Sequence, residues 1–222
     1  MISSEREIAG AFLLVYAGLF PVVNPLGASP MFLSLTSGVS EVKRNQLALG
    51  VAINSFLLLL GAMQCGSYVL EFFGITIPAV RVAGGALVAS RGWKLLNGSN
   101  KADPASSEHA PSQGVSDGFY PLTLPLTVGP GSISVALTIG AHHASRPFTA
   151  DIAVVSGSAL LGLLALAVTI YVAYRFSSSL VRWLGDAGIN VLVRLSAFIL
   201  VCIGVQIAWS GLSDLLGSLH PG

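Results

Sequence analysis

The chain has 222 residues and a formal net charge of +1, and hydrophobic residues make up 53% of it against 9% for charged residues. Soluble domains average about 25% charged residues, so this composition excludes a soluble enzyme, a nucleic-acid-binding protein and a disordered chain. It predicts a polypeptide whose main partner is membrane lipid.

Long uncharged runs follow one another along the chain. Residues 8–40, 45–70, 118–145 and 152–174 contain no charged side chain, in runs of 33, 26, 28 and 23 residues. About 20 apolar residues in a helix cross a ~30 Å hydrocarbon core, and these runs lack the alternation of barrel strands. Two further apolar runs are each interrupted by an arginine. The sequence therefore predicts an all-α polytopic membrane protein with six transmembrane helices: 8–35, 46–70, 72–96, 119–143, 150–174 and 189–213.

Lysine and arginine are unevenly distributed between the two sides of the membrane. Six spans put both termini on one side, together with Arg6 and Arg146. The other side holds seven cations: Lys43, Arg44, Arg91, Lys94, Lys101, Arg175 and Arg182. Because Lys and Arg are enriched in cytoplasmic loops, we expect periplasmic termini and a cytoplasmic 97–118 loop, which is rich in Ser, Pro and Ala.

A repeat relates the first predicted span to the fourth. Both contain three prolines in the pattern P-x3-P-x4-P, at positions 100 residues apart: Pro21, Pro25, Pro30 and Pro121, Pro125, Pro130. Each half holds three spans, and three is odd, so the second half enters the membrane from the opposite side. We therefore predict two inverted three-helix repeats, 1–98 and 119–222, joined by a linker over 99–118. Inverted repeats of this kind are typical of secondary transporters.

The proline clusters predict that the first and fourth helices are broken. Proline removes a backbone donor and clashes with the preceding turn, and irregular backbone inside a membrane is tolerated only in contact with protein or a cavity. Interrupted spans at matching places in two halves indicate a binding site. The predicted substrate-binding residues are Asn24, Pro25, Gly27, Ser29, Thr123, Thr127, Gly129, Gly131 and Ser132.

The expected solute is a small zwitterion. The N-terminus of a half-helix suits a carboxylate, and freed carbonyls suit an ammonium group or Na+. Arg81 and Arg194 are charges well inside the predicted spans, so each either pairs with a substrate carboxylate or holds the freed carbonyls of the opposing broken helix. No Asp or Glu stands at mid-membrane, which disfavours a carboxylate proton relay, but both Na+ and H+ stay open as coupling ions. No residue cluster predicts a metal or a cofactor.

Two other classes of function compete with transport. An intramembrane hydrolase would need an oriented base beside Ser29, but Pro30 follows that serine at once and His142 stands at a span end. No catalytic residue is therefore predicted. A channel or a non-transporting membrane protein remains the alternative, although no ring of charges predicts a selectivity filter. The sequence leaves the oligomeric state open.

Two motifs carry a resemblance to a known family. N-P-L-G-A-S-P over 24–30 resembles the N-P-[IL]-G-x-x-P motif of the MarC family, and P-L-T-L-P-L-T-V-G-P-G-S-I over 121–133 is similar to its second motif, P-L-x-x-P-x-x-x-G-P-G-x-[IL]. The resemblance implies a bacterial inner-membrane protein with six spans. It also implies transport of small neutral amino acids, because the family is also called the neutral amino acid transporter family. Leu124 stands where the first half has Asn24, so the two breaks differ chemically.

Overall fold

The computed structural model describes residues 2–97, 118–144 and 150–219, and all elements in these ranges are helical. The predicted 99–118 linker lies outside the described residues except for Gly118. Seven α-helices and one irregular segment, which we name the 118–127 segment, make up the described chain. They are α1 (Ile2–Val23), α2 (Pro25–Leu35), α3 (Glu41–Phe72), α4 (Ile77–Asn97), the 118–127 segment (Gly118–Thr127), α5 (Pro130–Ala144), α6 (Ala150–Arg175) and α7 (Ser177–Leu219).

Several of these helices are long and apolar enough to cross a membrane. Three qualify singly, over Glu41–Gly66, Ser156–Arg175 and Ala187–Gly217. Two bent pairs, α1 with α2 and the 118–127 segment with α5, raise the number among the described residues to five if each pair is one span. This is a polytopic membrane protein, in agreement with the composition. The remaining predicted span, 72–96, corresponds to α4, which has the length but carries three cations.

Short turns set the ends of several helices. Ser40 caps α3, since its side chain accepts a hydrogen bond from the Lys43 backbone amide at 3.3 Å. Gly74 has φ 66° in the turn before α4, a conformation that favours glycine. The predicted loop between the last two spans differs from the structure, because α7 already begins at Ser177 and is interrupted only at Gly185, where φ is 63°.

The main core lies where α1, α2, α3, α5, α6 and the 118–127 segment meet. Its largest fully buried side chains come from five of these elements: Leu19, Phe32, Leu59, Leu122, Leu163, Leu166, Ile170 and Tyr174. The outer surface is also apolar, with Leu57, Leu161 and Phe198 all more than half exposed. A soluble protein rarely exposes apolar surface on this scale, so these faces are suited to lipid.

Helices α4 and α7 pack against each other at unusually short range. A Cβ on Gly92 would lie 2.7 Å from the Ala197 carbonyl oxygen, and one on Gly211 would lie 2.6 Å from that of Pro78. Gly85 and Gly204 face each other in the same way. Small residues at helix contacts let backbones approach closely in membranes, and here they join the last helix of each predicted half.

Most of the other contacts between described elements also cross from one predicted half to the other. Helix α1 packs on α6, and the 118–127 segment packs on α3. Helix α2 contacts α6 and α7, while α5 contacts α3 and α4. The two bent pairs are thereby held between helices of the opposite half.

Candidate functional site

The first break in a helix is confined to one residue. Asn24 adopts the left-handed conformation (φ 51°, ψ 58°) between α1 and α2, whose axes are bent by 43°. The following Pro25 disfavours an α-helical Asn24 and has no N–H to donate to the Pro21 carbonyl. Asparagine tolerates the left-handed region because its short side chain can hydrogen-bond locally. Asn24 does so, since its Oδ1 accepts from the Gly27 amide at 3.1 Å.

Gly27 makes room for this cap. A Cβ at that position would lie 2.7 Å from Asn24 Oδ1 and 2.8 Å from its Cγ. Ser29 is fully buried, and its hydroxyl donates to the Leu26 carbonyl at 2.8 Å. Within the described part of the chain the Nδ2 of Asn24 has no partner and its side chain is half-buried. The first break therefore offers one amide donor group and the carbonyl end of α1.

The second break is longer. Tyr120 and Leu124 have extended backbone angles inside the 118–127 segment, and each precedes a proline. A further interruption at Val128 and Gly129 separates the segment from α5, with a bend of 74°. Leu124 is the position that the repeat aligns with Asn24. The prediction of irregular backbone at matching positions thus agrees with the structure, although the two conformations differ.

The predicted hydroxyls of the second half are engaged with this irregular backbone. Thr123 donates to the Gly118 carbonyl and Thr127 to the Leu122 carbonyl, both at 2.7 Å. Ser132 Oγ donates to the Gly129 carbonyl at 2.9 Å and accepts from the Gly129 amide at 3.1 Å. Since freed backbone groups in lipid need partners, these hydroxyls stabilise the break.

Gly131 serves packing between α5 and α4. A Cβ there would collide with the Val88 side chain and approach the Gly84 carbonyl oxygen to 3.5 Å. One turn further along α5, Ser134 donates to the Val80 carbonyl at 2.8 Å. These contacts fix the start of α5 against α4.

Arg91 holds the second break, and sequence reasoning missed it. Its Nη2 donates to the Leu126 carbonyl, and its Nη1 lies 3.5 Å from the place that a Cβ on Gly129 would occupy. The side chain is half-buried, whereas the sequence counted Arg91 among the charges of the cytoplasmic side. The sequence did hold one indication of this contact. Gly84, Val88 and Arg91 are spaced by four and three residues, which places Arg91 on the same face of α4 as the two residues that pack against α5.

Tyr174 joins the two broken helices and was also missed. Its ring stacks on Phe32 of α2, with centroids 4.4 Å apart and planes 13° apart. Its hydroxyl lies 2.7 Å from Thr127 Oγ1. Because the Thr127 proton goes to the Leu122 carbonyl, Tyr174 is the donor in this hydrogen bond. The fully buried tyrosine therefore contacts both proline-containing stretches at once.

The two predicted arginines lie apart from both breaks. Arg81 Nη1 pairs with Asp214 Oδ2 at 2.7 Å, at the end of the α4–α7 contact where Gly211 packs. Arg194 is exposed near the other end of that contact, and it makes no hydrogen bond to the described residues. The structure thus brings together the residues of each break but not this pair of arginines. Among the described residues, the guanidinium that donates to a carbonyl of the 118–127 segment is that of Arg91.

Comparison with known proteins gives one consistent match. A family model described as MarC family integral membrane protein matches residues 9–216. A relative from Escherichia coli O1:K1, named UPF0056 inner membrane protein MarC, is 31% identical over 208 residues, which cover 91% of this chain and 94% of the relative. The protein of the same name from Shigella flexneri is equally similar, at 31% over 208 residues. No solved structure matches.

Proposed function

Because this chain belongs to the MarC family of integral membrane proteins, we propose that it is a secondary transporter of small neutral amino acids, or similar small zwitterions, across the bacterial inner membrane. The observation that carries the proposal is that both broken helices lie against one buried side chain, Tyr174. Interrupted helices that meet where two halves of a transporter join are its expected binding site.

The pairing of elements supports an inverted repeat. If α1, α2, α3 and α4 are exchanged with the 118–127 segment, α5, α6 and α7, most of the contacts convert into one another. The contact of α1 with α6 becomes that of the 118–127 segment with α3, and α2 with α7 becomes α5 with α4. The contacts of α3 with α6 and of α4 with α7 map onto themselves. Two such halves can rock against each other around a fixed site, which is the basis of alternating access.

The chemistry of the first break suits a solute with no net charge. Asn24 supplies the two N–H donors of its Nδ2 for a carboxylate oxygen, and the Pro21 carbonyl, which Pro25 cannot satisfy, supplies an acceptor for an ammonium group. Coupling of transport to Na+ or H+ is part of the proposal. The dependence of uptake on each ion gradient tests it.

The alternative is a channel-like or non-transporting membrane protein, and one observation favours it. The hydroxyls of Ser29, Thr123, Thr127 and Ser132 all donate to nearby carbonyls. On this alternative the breaks are packing features that bind nothing.

Uptake of labelled alanine and glycine into proteoliposomes separates the two functions. Asn24→Asp keeps the Oδ1 cap of α2, places a favourable negative charge at a helix N-terminus and removes the Nδ2 donors. We expect saturable uptake by the wild type and roughly a 10-fold or greater loss in Asn24→Asp, measured on protein that still unfolds cooperatively. Asn97→Asp is the matched control, since Asn97 is exposed at the end of α4. A well-folded wild type that takes up no neutral amino acid would support the alternative.

A further inference from the structure

The second break contains a cation, Arg91, that has no anionic partner among the described residues. Arg91 uses one nitrogen, Nη2, to donate to the Leu126 carbonyl, and among the described residues no carboxylate lies within ion-pair distance of its guanidinium. The ion pair within the described chain joins Arg81 to Asp214, at another part of α4. A guanidinium has five N–H donors in a fixed plane, so most of its capacity is unused.

Arg91 lies towards the C-terminal end of α4, and its half-buried side chain is partly removed from water. Arginines within membrane-spanning segments are costly to leave without a counter-charge and usually pair with one. One hydrogen bond to a carbonyl satisfies a donor but leaves the positive charge. An anion that binds only part of the time, as a transported solute does, accounts for both the charge and its missing partner.

Gly129 provides space beside the guanidinium. Its φ lies outside the left-handed region, so the backbone there does not require glycine. A Cβ would meet Arg91 Nη1 at 3.5 Å and the Pro125 carbonyl oxygen at 3.8 Å, both ordinary contacts. What glycine adds at this position is therefore the absence of a side chain next to Nη1.

The other side of the break is closed by the contact between the two halves. Tyr174 stacks on Phe32 and donates to Thr127, the residue that follows Leu126, whose carbonyl accepts from Arg91. A solute held at Arg91 would thus lie where the first broken helix meets the second.

We propose that Arg91 binds the carboxylate of the solute, an inference that rests on the proposed transport function. Arg91 thereby takes the substrate-pairing role that was one of the two roles predicted for Arg81 and Arg194. A guanidinium and a carboxylate form charge-assisted, often two-fold hydrogen bonds, which select for the acid group itself. The ligands are then carboxylates with or without an amino group, and an amide analogue is discriminated against.

Binding to purified protein in nanodiscs tests this assignment. The probes are L-alanine, L-lactate, which has the carboxylate without the amine, and alaninamide, which has the amine without the carboxylate. In Arg91→Gln we expect the Kd for alanine and lactate to rise roughly 10-fold or more, with little change for alaninamide. Arg194→Gln is the matched control, because it removes an exposed guanidinium from α7, and it should leave every Kd unchanged.

A second variant keeps the inference falsifiable if Arg91→Gln does not fold. Gly129→Ala keeps the charge and adds one methyl group at an ordinary distance from Nη1, so we expect a folded protein with weaker alanine binding. An unchanged Kd for alanine and lactate in either folded variant overturns the assignment. An equal loss for alanine, lactate and alaninamide also overturns it, because Arg91 would then only position the break.

Failure of this inference is distinguishable from failure of the transport proposal. If the wild type and Arg91→Gln take up alanine equally well, the role of Arg91 is refuted and the transport proposal stands. If the wild type binds alanine through Arg91 but carries none into proteoliposomes, the role of Arg91 stands and the transport proposal is refuted. If the wild type binds no carboxylate, the role of Arg91 is refuted.

Discussion

At the scale of single residues, the two breaks use different side chains to hydrogen-bond the backbone groups that each break leaves unpaired. In the first, the Asn24 side chain caps the following helix. In the second, Leu124 has no polar group, and threonine and serine hydroxyls together with Arg91 meet the freed carbonyls. Among the described residues, the first break therefore keeps an unpaired amide donor, and the second keeps a guanidinium with no carboxylate partner. Both groups complement the carboxylate of a zwitterionic solute, whereas backbone carbonyls freed at the breaks complement its ammonium group.

Gly27→Ala tests the fit between Gly27 and the Asn24 cap. The new Cβ would lie 2.7 Å from Asn24 Oδ1, so the side chain has to leave the α2 N-terminus. Loss of such a cap costs about 1 kcal/mol, and we expect a lower melting temperature together with reduced uptake. Gly61→Ala in α3 is the control, because a Cβ there meets nothing within 4 Å. A Gly27→Ala protein as stable as Gly61→Ala, with normal uptake, would contradict the role of the cap.

Some residues of the site could be predicted from the sequence and others could not, for a physical reason. Asn24, Pro25 and Gly27 act on their own turn of the chain, so their spacing alone indicated a helix break. Arg91 and Tyr174 act on segments that are 35 and 47 residues away, and only the packing of α4 and α6 brings them there. Composition and spacing carry no information on such contacts unless a helical face is compared with its neighbours.

At the scale of elements, the sequence predicted the helices better than their interruptions. The predicted spans 8–35, 46–70 and 150–174 correspond to the bent α1–α2 pair, α3 and α6. The second interruption at Val128 and Gly129 was not predicted as a separate feature, because Pro121 and Pro125 already accounted for a break. Gly185 was placed in a loop, whereas the backbone on both sides of it is helical.

The α4–α7 contact gives a prediction at this scale. In Gly204→Ala the added Cβ would lie 2.6 Å from the Gly85 carbonyl oxygen and 2.8 Å from the Ala89 Cα, and neither backbone atom can move aside alone. We expect a loss of about 1–3 kcal/mol in stability, measured as a lower melting temperature in detergent. Gly217→Ala lies near the end of the same helix with nothing within 4 Å of its Cβ, and it should melt like the wild type. Equal melting of the two variants would show that α4 and α7 do not approach this closely.

At the scale of the whole molecule, polar and apolar groups are distributed as a membrane protein requires. Large apolar side chains cover the outside, while the irregular segments and their hydroxyls are buried among α3, α5 and α6. The charges that remain on the described turns are unequal. Lys43 and Arg44 follow the turn between α2 and α3, whereas Glu71 precedes the turn between α3 and α4. This difference sets the expected orientation, because cations are retained on the cytoplasmic side.

Labelling of single cysteines decides that orientation. In a background that lacks Cys65 and Cys202, both of which are exposed free thiols, Thr76→Cys marks the turn before α4 and Ser37→Cys marks the turn before α3. With periplasmic termini, the turn between α2 and α3 is cytoplasmic and the turn between α3 and α4 is periplasmic. An impermeant maleimide should then label Thr76→Cys in intact spheroplasts and Ser37→Cys only after the membrane is opened. The reverse pattern would place the termini in the cytoplasm and would mean that the seven cations assigned to the inside do not set the topology.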